Sequence, residues 1–286
     1  MRILSFDVED WWGYDYYKMG NRSDWEPRLN NYLYHILDLL DEKSIKATFF
    51  ILGKVAASNP EVVKEIANRG HHIGCHSYSH IFWKNPSEKN VIEDTNRALG
   101  AIENCIGSKV DAYRAPAFSI TRDNSWILSV LVDAGIKYDC SIFPTTRSFG
   151  GFPEYKTNLP GLIQISGCLI KEFPISSSVV FGREIVFSGG GYFRLFPYSI
   201  TKLLIQKSEY VMTYFHVKDF DKDQKRVFSS LDGESAFVRY FKSYIGLGSC
   251  FDKFEKLISD FHFCSVAEAD AIVKWKDVPV VSLNEN

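Results

Sequence analysis

Apolar positions along this chain recur with two alternating periods, and the alternation itself predicts a topology. Residues 3–7 form a short apolar run ending in Asp7, with the length of a buried strand. Between 28 and 42, Leu29, Tyr32, Leu33, Ile36, Leu37 and Leu40 fall on one helical face. A β-prone run at 47–52 stops at Gly53, and Pro60 opens a helix that Gly70 follows. Residues 72–75 make a brief strand, 86–106 a long helix stopped by Gly107, 112–114 a strand, 124–134 a helix and 137–139 a strand. Strands alternating with helices in this way predict a parallel sheet with right-handed crossovers, closed as a β/α barrel or left open and doubly wound.

The rhythm then breaks. From 148 to 195 Gly, Pro and Ser are frequent, and short runs at 162–165, 169–173 and 185–187 predict hairpins. The glycine run at 189–191 can approach a ligand closely, but it lacks the lysine and helical context of a phosphate-binding loop. A helix at 198–208, a strong β run at 210–216 ending in His216, helices at 236–244 and 251–261, a short strand at 263–266 and a last helix from 267 complete the pattern. The expected organisation is one domain over 1–286, with core motifs in 1–220, a hairpin insertion at about 148–195 and C-terminal helices at 235–286.

Composition narrows the function. The chain has 286 residues, 45% hydrophobic and 24% charged, with a formal net charge of −2. That balance gives no electrostatic footprint for nucleic acid, and no apolar run approaches bilayer length. The six cysteines are scattered, which predicts reduced thiols and a cytoplasmic protein without a secretory leader.

The chemistry-bearing residues gather where predicted strands end: Asp7, Glu9, Asp10, His76, His80, Arg114, Asp139 and His216. His76 and His80 are four apart, so a single helical turn would aim both rings at one point. A carboxylate from elsewhere would complete a three-ligand metal site with a position open to water. Cys75 alternates away from His76 and is expected to be a buried thiol, and His71 and His72 to pack against the sheet.

The ordered set 5–12 (SFDVEDWW), 76–80 (HSYSH), 114–118 (RAPAF), 138–144 (YDCSIFP) and Phe215-His216 resembles the polysaccharide deacetylase family, also called NodB homology or carbohydrate esterase family 4. The opening and the run SGGGYFRL resemble a subgroup associated with bacterial exopolysaccharide and surface-glycan clusters, lipopolysaccharide among them. The resemblance implies a distorted (β/α) barrel of the NodB-homology type, here with an inserted β-hairpin region. It implies hydrolysis of the N-acetyl group of an amino sugar. It also implies a divalent metal, zinc first, with cobalt, nickel or iron as alternatives, held by His76, His80 and a carboxylate. Asp7 would be the base, oriented by Arg114, and His216 the acid, positioned by Asp139. The commoner pattern has two adjacent aspartates; here Val8 intervenes, leaving Glu9 or Asp10 as the third ligand, and period-two alternation favours Glu9. Trp11, Trp12, Phe118 and Tyr192 are candidate walls for a sugar, since aromatic faces stack on pyranose rings.

Two histidines and a carboxylate also make the site of non-haem iron oxygenases, which have no use for Asp7 and His216 as base and acid. A glycan-binding barrel without catalysis is the other alternative. A cytoplasmic enzyme would meet a nucleotide- or lipid-linked N-acylated amino sugar rather than a finished polymer.

Overall fold

A computed structural model describes residues 1–9, 28–147, 150–180, 182–224, 226, 228 and 235–283. Strands β1 (Arg2–Ile3), β2 (Ser5–Val8), β3 (Thr48–Ile51), β4 (His72–Cys75), β5 (Ala112–Tyr113) and β6 (Tyr138–Asp139) come first. From β3 to β6 each is parallel to its predecessor. The crossovers carry helices α1 (Leu29–Glu42), α2 (Gly53–Ser58), α3 (Pro60–Asn68), α4 (Glu88–Ile106) and α5 (Ile127–Asp133). Their ends obey local rules: Pro60 starts α3, the Ser87 side chain caps α4, and Gly107 at φ 69° ends it.

The hairpin region does more than decorate this frame. β7 (Gly161–Ile165) and β8 (Cys168–Glu172) form a hairpin whose second strand joins β6 in parallel, so it extends the central sheet. β9 (Ser177–Val180) and β10 (Arg183–Val186) pair separately. Helices α6 (Gly190–Leu195) and α7 (Tyr198–Lys207) lead to β11 (Val211–Met212) and β12 (Phe215–His216), which run parallel to β1 and β2. Helices α8 (Ala236–Tyr244), α9 (Cys250–Asp260) and α10 (Val266–Ile272) follow. The last element corrects the expectation of helix to the end: β13 (Val280–Leu283) pairs with β7, the β-branched run overriding the helical reading.

The spatial order is β12-β2-β3-β4-β5-β6-β8-β7-β13. Between the segments that follow β8 and the strand region 211–216 no long ladder forms among the described residues, and single bonds link them: Met212 N–H donates to Ser176 Oγ at 2.7 Å and Tyr214 N–H to the Ser188 carbonyl at 3.1 Å. These close the sheet into a distorted β/α barrel. Alternation sorts the side chains: Phe6, Phe49, Ile73, Cys75 and Tyr113 join the layer packed on the helices, while Ile3, Phe50, Ala112 and Tyr138 join the inner cluster. Asp7, His76 and Arg114, each one step past an outward residue, therefore belong to the inside. Among the described residues no helix is long and apolar enough to cross a membrane.

Candidate active site

Parallel register puts the chemistry at one end of the barrel. Asp7 lies level with Phe50 on one side and His216 on the other. Just past Val8 the chain turns, Glu9 N–H donating to the Asp7 carbonyl at 3.2 Å. That turn, rather than continued alternation, is what returns Glu9 to the same pocket. Asp10, Trp11 and Trp12 lie outside the described residues.

His76 and His80 do not share a helical turn. Ser77 and His80 both adopt left-handed φ, 63° and 58°, and His80 N–H donates to Ser77 Oγ at 3.0 Å. Such a backbone persists only where surroundings hold it. Here the N–H groups of Gly53 and Lys54 at the start of α2 donate to the Ser77 and Tyr78 carbonyls, and Asp94 of α4 accepts from Tyr78 N–H. Gly53 is required, because a Cβ there would meet the Tyr78 ring at 2.5 Å. The two rings end with centroids 5.3 Å apart. His76 Nδ1 donates to the Arg114 carbonyl at 2.7 Å, which leaves its Nε2 lone pair available. Burial drives the His76 pKa down and that of His80 to about 4, so both are neutral near pH 7.

Arg114 is completely buried, and its environment explains why a guanidinium is tolerated there. It donates to Asp7 Oδ1 at 2.8 Å, to Ser5 Oγ at 2.9 Å and to the Cys140 carbonyl at 3.3 Å. Its guanidinium also lies 4.1 Å from the Phe50 ring centroid. Burial would raise the Asp7 pKa, but Arg114, His76 and His216 outweigh it and the carboxyl is held below its usual range. Glu9 behaves alike: Lys218 Nζ donates to its Oε1 at 2.7 Å, and Lys218, His80 and His216 together depress its pKa despite burial.

His216 stands between these acids, its Nε2 3.8 Å from Asp7 Oδ2 and 3.4 Å from Glu9 Oε1. On its other side Asp219 Oδ2 lies 3.3 Å from Nδ1 and accepts the His216 N–H at 2.9 Å. Burial opposes the imidazolium, but the Asp219 hydrogen bond and the charges of Glu9 and Asp219 raise its pKa above the ordinary value. Asp219 is itself paired with buried Arg194 at 3.0 Å. A Cβ on Gly190 would overlap the Asp219 carboxylate, and one on Gly189 the Tyr214 ring. The glycine run thus admits two side chains of the protein rather than a ligand.

The partner of His216 is therefore Asp219 and not Asp139. Asp139 is 0% exposed and accepts from Ser141 Oγ at 2.6 Å; its other neighbour is Glu172 of β8. Burial raises both pKa values, and the neighbouring Asp139 charge pushes Glu172 up further while the Glu172 hydrogen bond partly offsets the rise at Asp139, so the pair retains a proton, held on Glu172. Asp219 was legible as His216-x-x-Asp219, the spacing of a side chain that returns to cap its own turn.

Among the described residues no group of three or more His, Cys, Asp and Glu side chains is closed to metal-holding distances. Lys218 and His216 draw Glu9 Oε1 toward themselves. The donors nonetheless suit a divalent ion. Glu9 Oε2 and His80 Nδ1 are buried without a hydrogen-bond partner, and Glu9 Oε2 lies 3.3 Å from His80 Nε2 without the geometry of a hydrogen bond. Ligands about 2.1 Å from a tetrahedral ion sit roughly 3.4 Å from each other, so this separation matches one edge of such a site.

Of the described candidate walls, Phe118 is only 5% exposed and packs on Tyr214 and Phe143, because left-handed φ at Ala117 and Phe118 turns it inward. Tyr192 is 41% exposed and borders a cavity shared with His216.

Residues 18–138 match the family model for polysaccharide deacetylase. That stretch is similar to the polysaccharide deacetylase domain of the NodB-homology class. A second model, a domain of unknown function (DUF3473), matches residues 140–271, so the two meet on β6. The deacetylase domain contributes the two histidines and Arg114; His216, Lys218 and Asp219 come from the second region. Two proteins of Bacillus cereus named peptidoglycan-N-acetylglucosamine deacetylases are similar: one is 50% identical over 62 residues (22% of this chain, 21% of that protein), the other 30% over 106 residues (37% and 39%). The chain thus spans well under half of these curated relatives. A solved structure from Mycobacterium smegmatis, assigned as a polysaccharide deacetylase, shares the fold with a TM-score of 0.66 at 17% identity, covering 100% of this chain and 93% of that one.

Proposed function

We propose that the deacetylase domain is a metal-dependent amidohydrolase that removes the acetyl group from an N-acetylated amino sugar during bacterial polysaccharide or surface-glycan synthesis. The observation that carries the reading is the opposed tuning of two facing groups: Asp7, depressed and ionised, lies 3.8 Å from His216, raised toward the imidazolium. Groups whose environments push their pKa values apart are suited to act as base and acid.

A divalent ion bound by Glu9, His76 and His80, zinc by preference, would polarise the amide carbonyl and acidify a water. Asp7, fixed by Arg114, takes the proton of the attacking water. His216, kept charged by Asp219, delivers a proton to the departing nitrogen, so that the amine leaves neutral and acetate remains. The Arg114 carbonyl holds the His76 tautomer that leaves Nε2 available. The acylated sugar would be nucleotide- or lipid-linked.

The test is acetate release. The purified chain, with zinc or cobalt supplied, is incubated with N-acetylglucosamine oligomers, a nucleotide-linked N-acetylamino sugar and a lipid-linked one. Release that disappears with a chelator supports the reading. No release from any of the three, with metal content verified, overturns it.

A further inference from the structure

A cavity of about 810 Å³ opens beside His216, between α6 and α8. One part of its lining is polar. His216 and Asp219 reach it from the candidate active site, and Arg147 borders it. The Arg147 guanidinium lies 4.3 Å from the Phe143 ring centroid and donates to the Ala117 carbonyl at 3.1 Å. Among the described residues no carboxylate pairs with it.

Lys218, Gln224, Arg239 and Lys242 border the cavity as well, and between them the lining is mostly aromatic and aliphatic. α8 buries none of its residues, and its Phe237 and Phe241, 71% and 41% exposed, both line the cavity. Leu195 and Tyr192 of α6, also exposed, line it too. A contiguous apolar surface of this kind marks contact with something apolar, and packing among the described residues does not account for it.

The geometry points to a carrier site: the cavity takes the phosphate-linked hydrocarbon of a lipid-linked acylated amino sugar, with the phosphate on Arg147 and the chain along α8. This rests on the deacetylase reading of His216 and names its substrate class. Along α6 and α8 the wall is formed by Tyr192, Leu195, Phe237 and Phe241, an extended apolar face that suits a hydrocarbon chain better than a nucleotide base. The apolar strip is continuous with the cavity that holds His216, so sugar and carrier would occupy one path.

Calorimetric titration of the whole chain with octyl phosphate, inorganic phosphate, octyl glucoside and UMP, each alone, tests this. Octyl phosphate is expected to bind at least tenfold more tightly than the other three. Phe241→Ser and Arg147→Gln, at exposed positions and checked for unchanged melting, should each weaken it tenfold or more, while Lys89→Gln, on α4 and outside the cavity lining, stays within twofold. Equal binding of octyl phosphate and inorganic phosphate, tighter binding of UMP, or undiminished binding in both variants overturns the proposal. Titration needs no turnover, so the two readings fail separately. Acetate release without octyl phosphate binding removes only the carrier site; octyl phosphate binding without acetate release removes the deacetylase reading.

Discussion

Asp7 and Glu9 at the end of β2, and Asp139 and Glu172 on β6 and β8, are all no more than 2% exposed, yet cations stand directly against the first pair only. Arg114 and Lys218 neutralise Asp7 and Glu9, which stay ionised. Asp139 and Glu172 neutralise each other by keeping a proton. A buried charge must be paired or given up, and the barrel uses both solutions a few strands apart. The ionised pair faces the histidines and can do chemistry. The protonated pair anchors Ser141, whose Oγ accepts Ala115 N–H at 2.8 Å and so fixes the segment after Arg114.

The comparison breaks most severely at Arg114. Arg114→Met leaves Asp7 buried without its cation and should cost about 3–5 kcal/mol in denaturant unfolding at pH 7; a loss below about 1 kcal/mol would mean that the pair is not what keeps Asp7 charged. Asp219→Asn removes the group that holds the His216 proton. Acetate release should fall about 10–100-fold, within what acid catalysis supplies, and the alkaline limb of the pH–rate profile should move to lower pH, a shift that a merely structural role would not cause. Lys218→Met frees Glu9 Oε1 from its competing cation, and zinc affinity measured against a chelator should rise roughly tenfold, about 1.4 kcal/mol. The gentlest change is Glu172→Gln. The folded carboxyl pair holds its proton more tightly than free carboxyls do. The stability it contributes is therefore fully present below about pH 4 and lost as pH rises through the folded value. The substitution should flatten the decline in melting temperature from pH 4 upward; an unchanged slope would show that the dyad does not titrate in the folded state.

Much of the fold was legible because period and punctuation are local: Pro60, Gly70 and Gly107 mark helix ends where the structure has them. The gathering of Asp7, Glu9, His76, Arg114 and His216 was legible too, since strand ends converge in a parallel barrel. Three things were not. The His76–His80 turn depends on α2 and α4 amide and carboxylate contacts that no spacing rule contains. The partner of Asp139 lies on a hairpin strand whose place in the sheet is set by distant pairing. Lys218 reaches Glu9 through the register of β12 on β2, which local pattern does not encode. β13 was missed for the same reason.

That register also orders events in time. Lys218 and Glu9 are 209 residues apart in sequence, and Leu4 N–H bonds to the Cys264 carbonyl. On the ribosome the base, the histidines and Arg114 emerge long before the acid. A nascent chain lacking β12 holds only part of the proposed site, without the imidazole and ammonium that face Asp7 and Glu9 in the folded protein. The proposed site is therefore complete only when β12 docks, and a chain stalled before that point is expected to release no acetate.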